Sequence, residues 1–147
     1  MNDNDEVTYF EIPDFKDLLK TIIQSYKISP VSLSKVSGLD KDLISDISNG
    51  KINIDSIPYT DRAPFDDLVT MLTIGMEMVE NDNRITSIIE ALNHEYFISY
   101  ESIALYAKLE QEDLQQFMND SSSVTFEKRY KLAVTTLFLH SLFKQPQ

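Results

Sequence analysis

Sliding the sequence along itself by 70 residues, with no gap, places Tyr26 on Tyr96 and Ile28-Ser29 on Ile98-Ser99. Ser32 then meets Ser102, Leu39 meets Leu109 and Asn49 meets Asn119. Apolar positions coincide between these identities: Leu18/Leu19 with Ile88/Ile89, Ile22 with Leu92, Leu33 with Ile103, Ile44 with Leu114 and Ile47 with Phe117. Asp40 and Asp42 likewise fall on Glu110 and Glu112. A chain that writes one apolar pattern twice buries the same small core twice, so the fold is decided at the level of one unit. That unit is helical. Three glycines and five prolines in 147 residues supply too few turns for many short strands, and the apolar residues recur at helical spacing. The expected fold is therefore all-α, with an acidic tail over 1–14 and two tandem units of four to five helices each, 15–80 and 84–147.

Within the first unit Phe15, Leu18, Leu19, Ile22, Ile23 and Tyr26 make one helical stripe, with Asp14 as N-cap. Ser29-Pro30 opens a second helix, which Gly38 closes. Asp40 caps a third, carrying Leu43, Ile44 and Ile47 and stopping at Asn49-Gly50. Two short helices around a tight glycine turn form a helix-turn-helix. Residues 51–64 read as irregular, because Pro58 and Pro64 oppose a helix. A longer helix from Phe65 to Glu80 would turn Leu68, Met71, Leu72, Gly75, Met76 and Val79 inward, and Asn81-Asp82-Asn83 would break it. The second unit closes with a helix from Phe126 to about Lys144. Val7 to Ile12 could form a short strand or an arm, though a partly ordered tail is the simpler reading.

The segment from Ile28 to Lys51 resembles the lambda-repressor-like (Xre) helix-turn-helix family. The resemblance rests on Ser29 opening the second helix, Leu33 in its middle, Gly38-Leu39 in the turn, Ile44-Ser45 and Ile47 in the third helix, and Asn49-Gly50-Lys51 at its end. It covers 15–80, and reaches the second unit only through the repeat as a degenerate copy. It implies a sequence-specific DNA-binding transcriptional regulator whose third helix enters the major groove. The positions carried over are Asp40, Lys41, Asp42 and Ser45 at the base edges, with Lys35 and Lys51 as cations near phosphate. Pro30 stands where the family commonly uses Gln against a phosphate. In the second unit Lys108 replaces the turn glycine, and Gln111, Gln115 and Gln116 share the equivalent helix with Glu110, Glu112 and Asp113. Its Lys128-Arg129-Lys131 is the only basic cluster.

Charge sets the competing reading. The formal net charge of −11 divides as −5 over 1–14, −3 over 15–80 and −3 over 81–147. Asp40, Asp42 and Asp46 on the would-be reading helix repel phosphate, which suits an acidic protein-interaction module: an antirepressor, a regulator's partner or a DNA mimic. An enzyme is not expected. Two histidines, no cysteine, no phosphate-binding glycine loop and no nucleophile elbow leave no catalytic group, cofactor or metal site. The lack of cysteine and of any targeting or membrane-spanning run suits a cytoplasmic protein. The last helix has two apolar stripes. Phe126, Tyr130, Ala133, Val134 and Leu137 would close the unit's core, while Leu132, Leu139 and Phe143 would meet either the partner in a homodimer or the first unit.

Overall fold

A computed structural model describes residues 13–144, so Val7 to Ile12 lies outside the described residues. The protein is all-helical, with no strand among the described residues. It divides into two compact units between Met78 and Val79.

In unit 1, α1 (Phe15–Lys20) runs into a π-helical turn (Thr21–Ser25) and is followed by α2 (Pro30–Ser37) and α3 (Lys41–Ser48). A 3₁₀ turn (Ile54–Ser56) leads to α4 (Tyr59–Thr70), a second π turn (Met71–Gly75) and the short α5 (Met76–Met78). Leu19, Ile22, Leu33, Leu39, Ile44, Ile47, Phe65 and Val69 form the core, and the Phe15 and Phe65 rings meet edge to face at 5.6 Å. In unit 2, α6 (Asn81–His94), α7 (Tyr100–Ala107) and α8 (Gln111–Asn119) precede a 3₁₀ turn (Ser121–Ser123) and α9 (Phe126–Phe143). Ile89, Leu92, Ile103, Leu114, Phe117 and Leu132 are among its core residues.

The correspondence between units is one of backbone as well as composition. α7 starts and ends 70 residues after α2, and Ser99 caps Ser102 N–H as Ser29 caps Ser32 N–H. Lys27 and Phe97 (φ 61° and 57°) share the left-handed conformation, as do Gly38 and Lys108 (φ 80° and 56°). Beyond α8 the offset falls to 67, because the second unit's loop is shorter: α4 opens at Tyr59 and α9 at Phe126. The buried Phe65 and Val69 then correspond to the buried Leu132 and Thr136.

Four sequence expectations change. Residues 51–64 are not irregular throughout, since α4 begins at Tyr59 and holds Pro64 inside it. Asp61 N–H and Arg62 N–H donate to the Pro58 carbonyl, and the Arg62 guanidinium holds the Ile54 carbonyl and Asp55, both at 2.9 Å, fastening this end of the helix. Asn81-Asp82-Asn83 starts α6 rather than ending the helix before it, because residues that interrupt one helix also serve the first turn of another. The inward face of α4 and its π turn runs through Phe65, Val69 and Thr73, with Leu68 and Leu72 packed against the core as expected. Met71, two residues after Val69, falls on the opposite side of the helix at 63% exposure, and the wider π turn leaves Met76 55% exposed.

The fourth change concerns α9. Leu132 and Leu139, expected to meet either a homodimer partner or the first unit, lie in the core of unit 2, and Phe143 is half-exposed with its ring 6.0 Å from that of Tyr96. The stripe expected inside, Phe126, Tyr130, Val134 and Leu137, is exposed. The inward face accepts Thr136 because its hydroxyl donates to the Leu132 carbonyl at 2.7 Å, so the side chain buries with its polar group satisfied.

Candidate nucleic-acid interface

The α2–turn–α3 segment is held by local bonds at each joint. Ser29 accepts from Ser32 N–H, and Pro30 takes the first helical position, where its missing N–H costs nothing. Gly38, left-handed, ends α2 and donates to the Ser34 carbonyl at 2.9 Å. One carboxylate oxygen of Asp40 accepts from Asp42 N–H at 2.8 Å and from Leu43 N–H at 3.2 Å. Asp40 is thus the N-cap of α3, its charge set against the helix's own amides. At the other end Lys51 N–H donates to the Asp46 carbonyl at 2.9 Å and Gly50 N–H to the Ile47 carbonyl at 3.1 Å, a Schellman closure that requires Gly50 at φ 75°. The Asn-Gly-Lys ending therefore has a structural cause.

This frame presents Lys41 and Asp42 to solvent on the first turn of α3, with Ser45 and Asp46 half-buried on the second. Lys35, at the end of α2, and Lys51, just past α3, are exposed. Among the described residues none of Lys35, Lys41 and Lys51 enters an ion pair. Lys16 of α1 reaches the turn after α3: a Cβ on Gly50 would lie 3.4 Å from its Nζ. Three cations and the α3 face are thus unengaged, with Asp42 and Asp46 between them.

In unit 2 the basic residues at the start of α9 are paired within the unit. Lys128 Nζ donates to Asp113 at 2.7 Å, Arg129 to Asp82 at 3.1 Å, and Lys131 Nζ lies 3.5 Å from Glu127. The basic cluster Lys128-Arg129-Lys131 is therefore neutralised by its own neighbours. The hydrogen bond from Lys128 holds the Asp113 carboxyl below its ordinary value, helped by the Glu110 N–H and opposed by desolvation. Gln111, Glu112, Gln115 and Gln116 remain exposed on α8.

Lys128→Met is accordingly expected to return the Asp113 pKa toward the ordinary carboxylate range, read by carboxyl NMR titration. It should lower stability by up to about 1 kcal/mol. Because folding depresses this pKa, the contribution is complete above about pH 4 and is lost as the pH falls through the folded value. Denaturation curves of wild type and variant should converge in that acid range.

No candidate metal-holding group of His, Asp or Glu is found among the described residues, and no helix among them is long and apolar enough to cross a membrane. No curated protein and no solved structure matches the chain. A family model described as a helix-turn-helix domain matches residues 11–147. The match takes in both units, and the chain belongs to that helix-turn-helix domain family.

Proposed function

We propose that the protein is a cytoplasmic, sequence-specific DNA-binding transcriptional regulator of the lambda-repressor-like type, not an enzyme, which reads the major groove with α3 of unit 1. Unit 2 is on this reading a degenerate copy. The observation that carries it is the contrast in cations: among the described residues Lys35, Lys41 and Lys51 flank α3 without ion-pair partners, while Lys128, Arg129 and Lys131 are all paired within unit 2. Unpaired lysines around an exposed helix can neutralise phosphates and release counterions. Lys41 and Ser45 would address base edges, Asp42 can accept from a cytosine amino group, and Lys35 and Lys51 would contact the backbone. Asp40, bonded to two amides of α3, holds the helix rather than reading a base.

Selection from random duplexes, followed by titration of the selected site at low salt, tests the reading. Lys41→Ala should weaken the selected site about tenfold. Lys51→Ala should weaken all sequences alike and reduce the salt slope by about one. Failure to bind any duplex at micromolar protein overturns the reading.

The second reading, an acidic protein-interaction module, draws on exposed Asp42 and half-buried Asp46 on α3 and exposed Glu112 on α8. It predicts a stoichiometric protein partner and no salt-sensitive DNA shift.

A further inference from the structure

The outward side of α9 is as apolar as its inward side. Phe126, Tyr130, Val134, Leu137, Phe138 and Leu142 are between 47% and 74% exposed, on the side of the helix opposite Leu132, Thr136 and Leu139. A helix that is apolar all round normally has protein on both sides. The unit's fold does not demand the middle of this second face, although Phe126 and Phe138 have exposed apolar counterparts in Tyr59 and Met71. At the corresponding positions of α4, Tyr130, Val134 and Leu137 are replaced by Ala63, Asp67 and Thr70.

We propose that a second copy of this chain covers this face, pairing α9 with α9 about a two-fold axis near Val134. Shape is the first argument. α9 is a ridge between two apolar grooves, one of about 550 Å³ against α6, floored by Ile85, Ile88 and Phe117, and one of about 350 Å³ beside Tyr106 of α7. A ridge with grooves beside it can be self-complementary, the ridge of each copy seating in a groove of the other. Area is the second. Exposed aromatic side chains such as Phe126, Tyr130, Phe138 and Tyr106, each more than 60% exposed, lie with aliphatic residues between them. Large exposed aromatic side chains are the main source of the roughly 800 Å² per partner that a stable interface buries. Charge is the third. In a chain of net charge −11, the outward side of α9 carries one opposed pair, Glu127 and Lys131 at 3.5 Å, so two copies approach here without local repulsion.

The full chain, followed by sedimentation equilibrium from low to high micromolar concentration, should associate to twice its mass of 16.9 kDa. Val134→Lys sets like charges against each other at the axis and should weaken association by roughly a hundredfold or more, with an unchanged helical circular dichroism spectrum. Val36→Lys, at a residue 72% exposed in unit 1, should leave the mass unchanged. The sequence has no cysteine, so Val134→Cys provides a second reading that does not depend on tolerating a charge. It should form an interchain disulfide on mild oxidation, and Val36→Cys should not. A monomer at every concentration overturns the proposal, as does a dimer that survives Val134→Lys or fails to cross-link through Val134→Cys.

Discussion

Leu132→Ala should lower the free energy of unfolding by about 3 kcal/mol, while Leu137→Ala, on the same helix, should change it by less than about 0.5 kcal/mol. Leu132 is fully buried, and truncation removes its transfer free energy and leaves a cavity among Ile89, Phe117 and their neighbours. Leu137 is 54% exposed, and its truncation empties no packed space. Both substitutions belong in the Val134→Lys background, so that subunit association does not add to either value. Urea denaturation reads the difference from the midpoint at constant slope. A larger loss at Leu137 than at Leu132 would mean that α9 packs with the opposite face inward.

That contrast marks where the sequence was legible and where it was not. The ends of α2 and α3 were readable because every signal is local: Ser29 and Pro30 start one helix, Gly38 stops it, and Asp40 starts the next within a few residues. The inward side of α9 was not, because periodicity separates apolar from polar faces and this helix has apolar residues on both. Thr136 added to the confusion, since its hydroxyl bonds within the helix and the residue then behaves as a buried apolar one. The π turns after α1 and α4 carry no composition signal, so Met76, seven residues after the buried Val69 and on its side of a regular helix, reads as inward although the wider turn leaves it exposed. At the candidate interface, the exposed positions Lys35, Lys41, Asp42 and Lys51 followed from the family pattern. The neutralisation of Lys128 and Arg129 did not, because Asp113 and Asp82 stand 15 and 47 residues away in sequence and only the packing of α8 and α6 against α9 brings them close.

The turn between the two short helices allows one backbone geometry to be tested in both units. Gly38 and Lys108 occupy corresponding positions, both left-handed, at φ 80° and 56°. No atom lies within 4 Å of where a Cβ on Gly38 would be, so a side chain there meets only the intrinsic penalty of the conformation. Gly38→Val should therefore cost about 2 kcal/mol, a β-branched residue being among the worst suited to this region. Lys108 already bears that type of strain. It holds the turn because Leu109 N–H donates to the Ala104 carbonyl at 3.0 Å, a closure unit 1 lacks, its Leu39 N–H turning to Ser37 Oγ at 3.3 Å. Lys108→Gly removes the strain but gives the unfolded chain more freedom, leaving a net gain of about 0.5–1 kcal/mol. Opposite signs at equivalent positions are the expected result in denaturant unfolding of the full chain. A loss in both variants would show that Lys108 is held by contacts of its side chain, and that the turns of the two units, alike in backbone, are stabilised by different means.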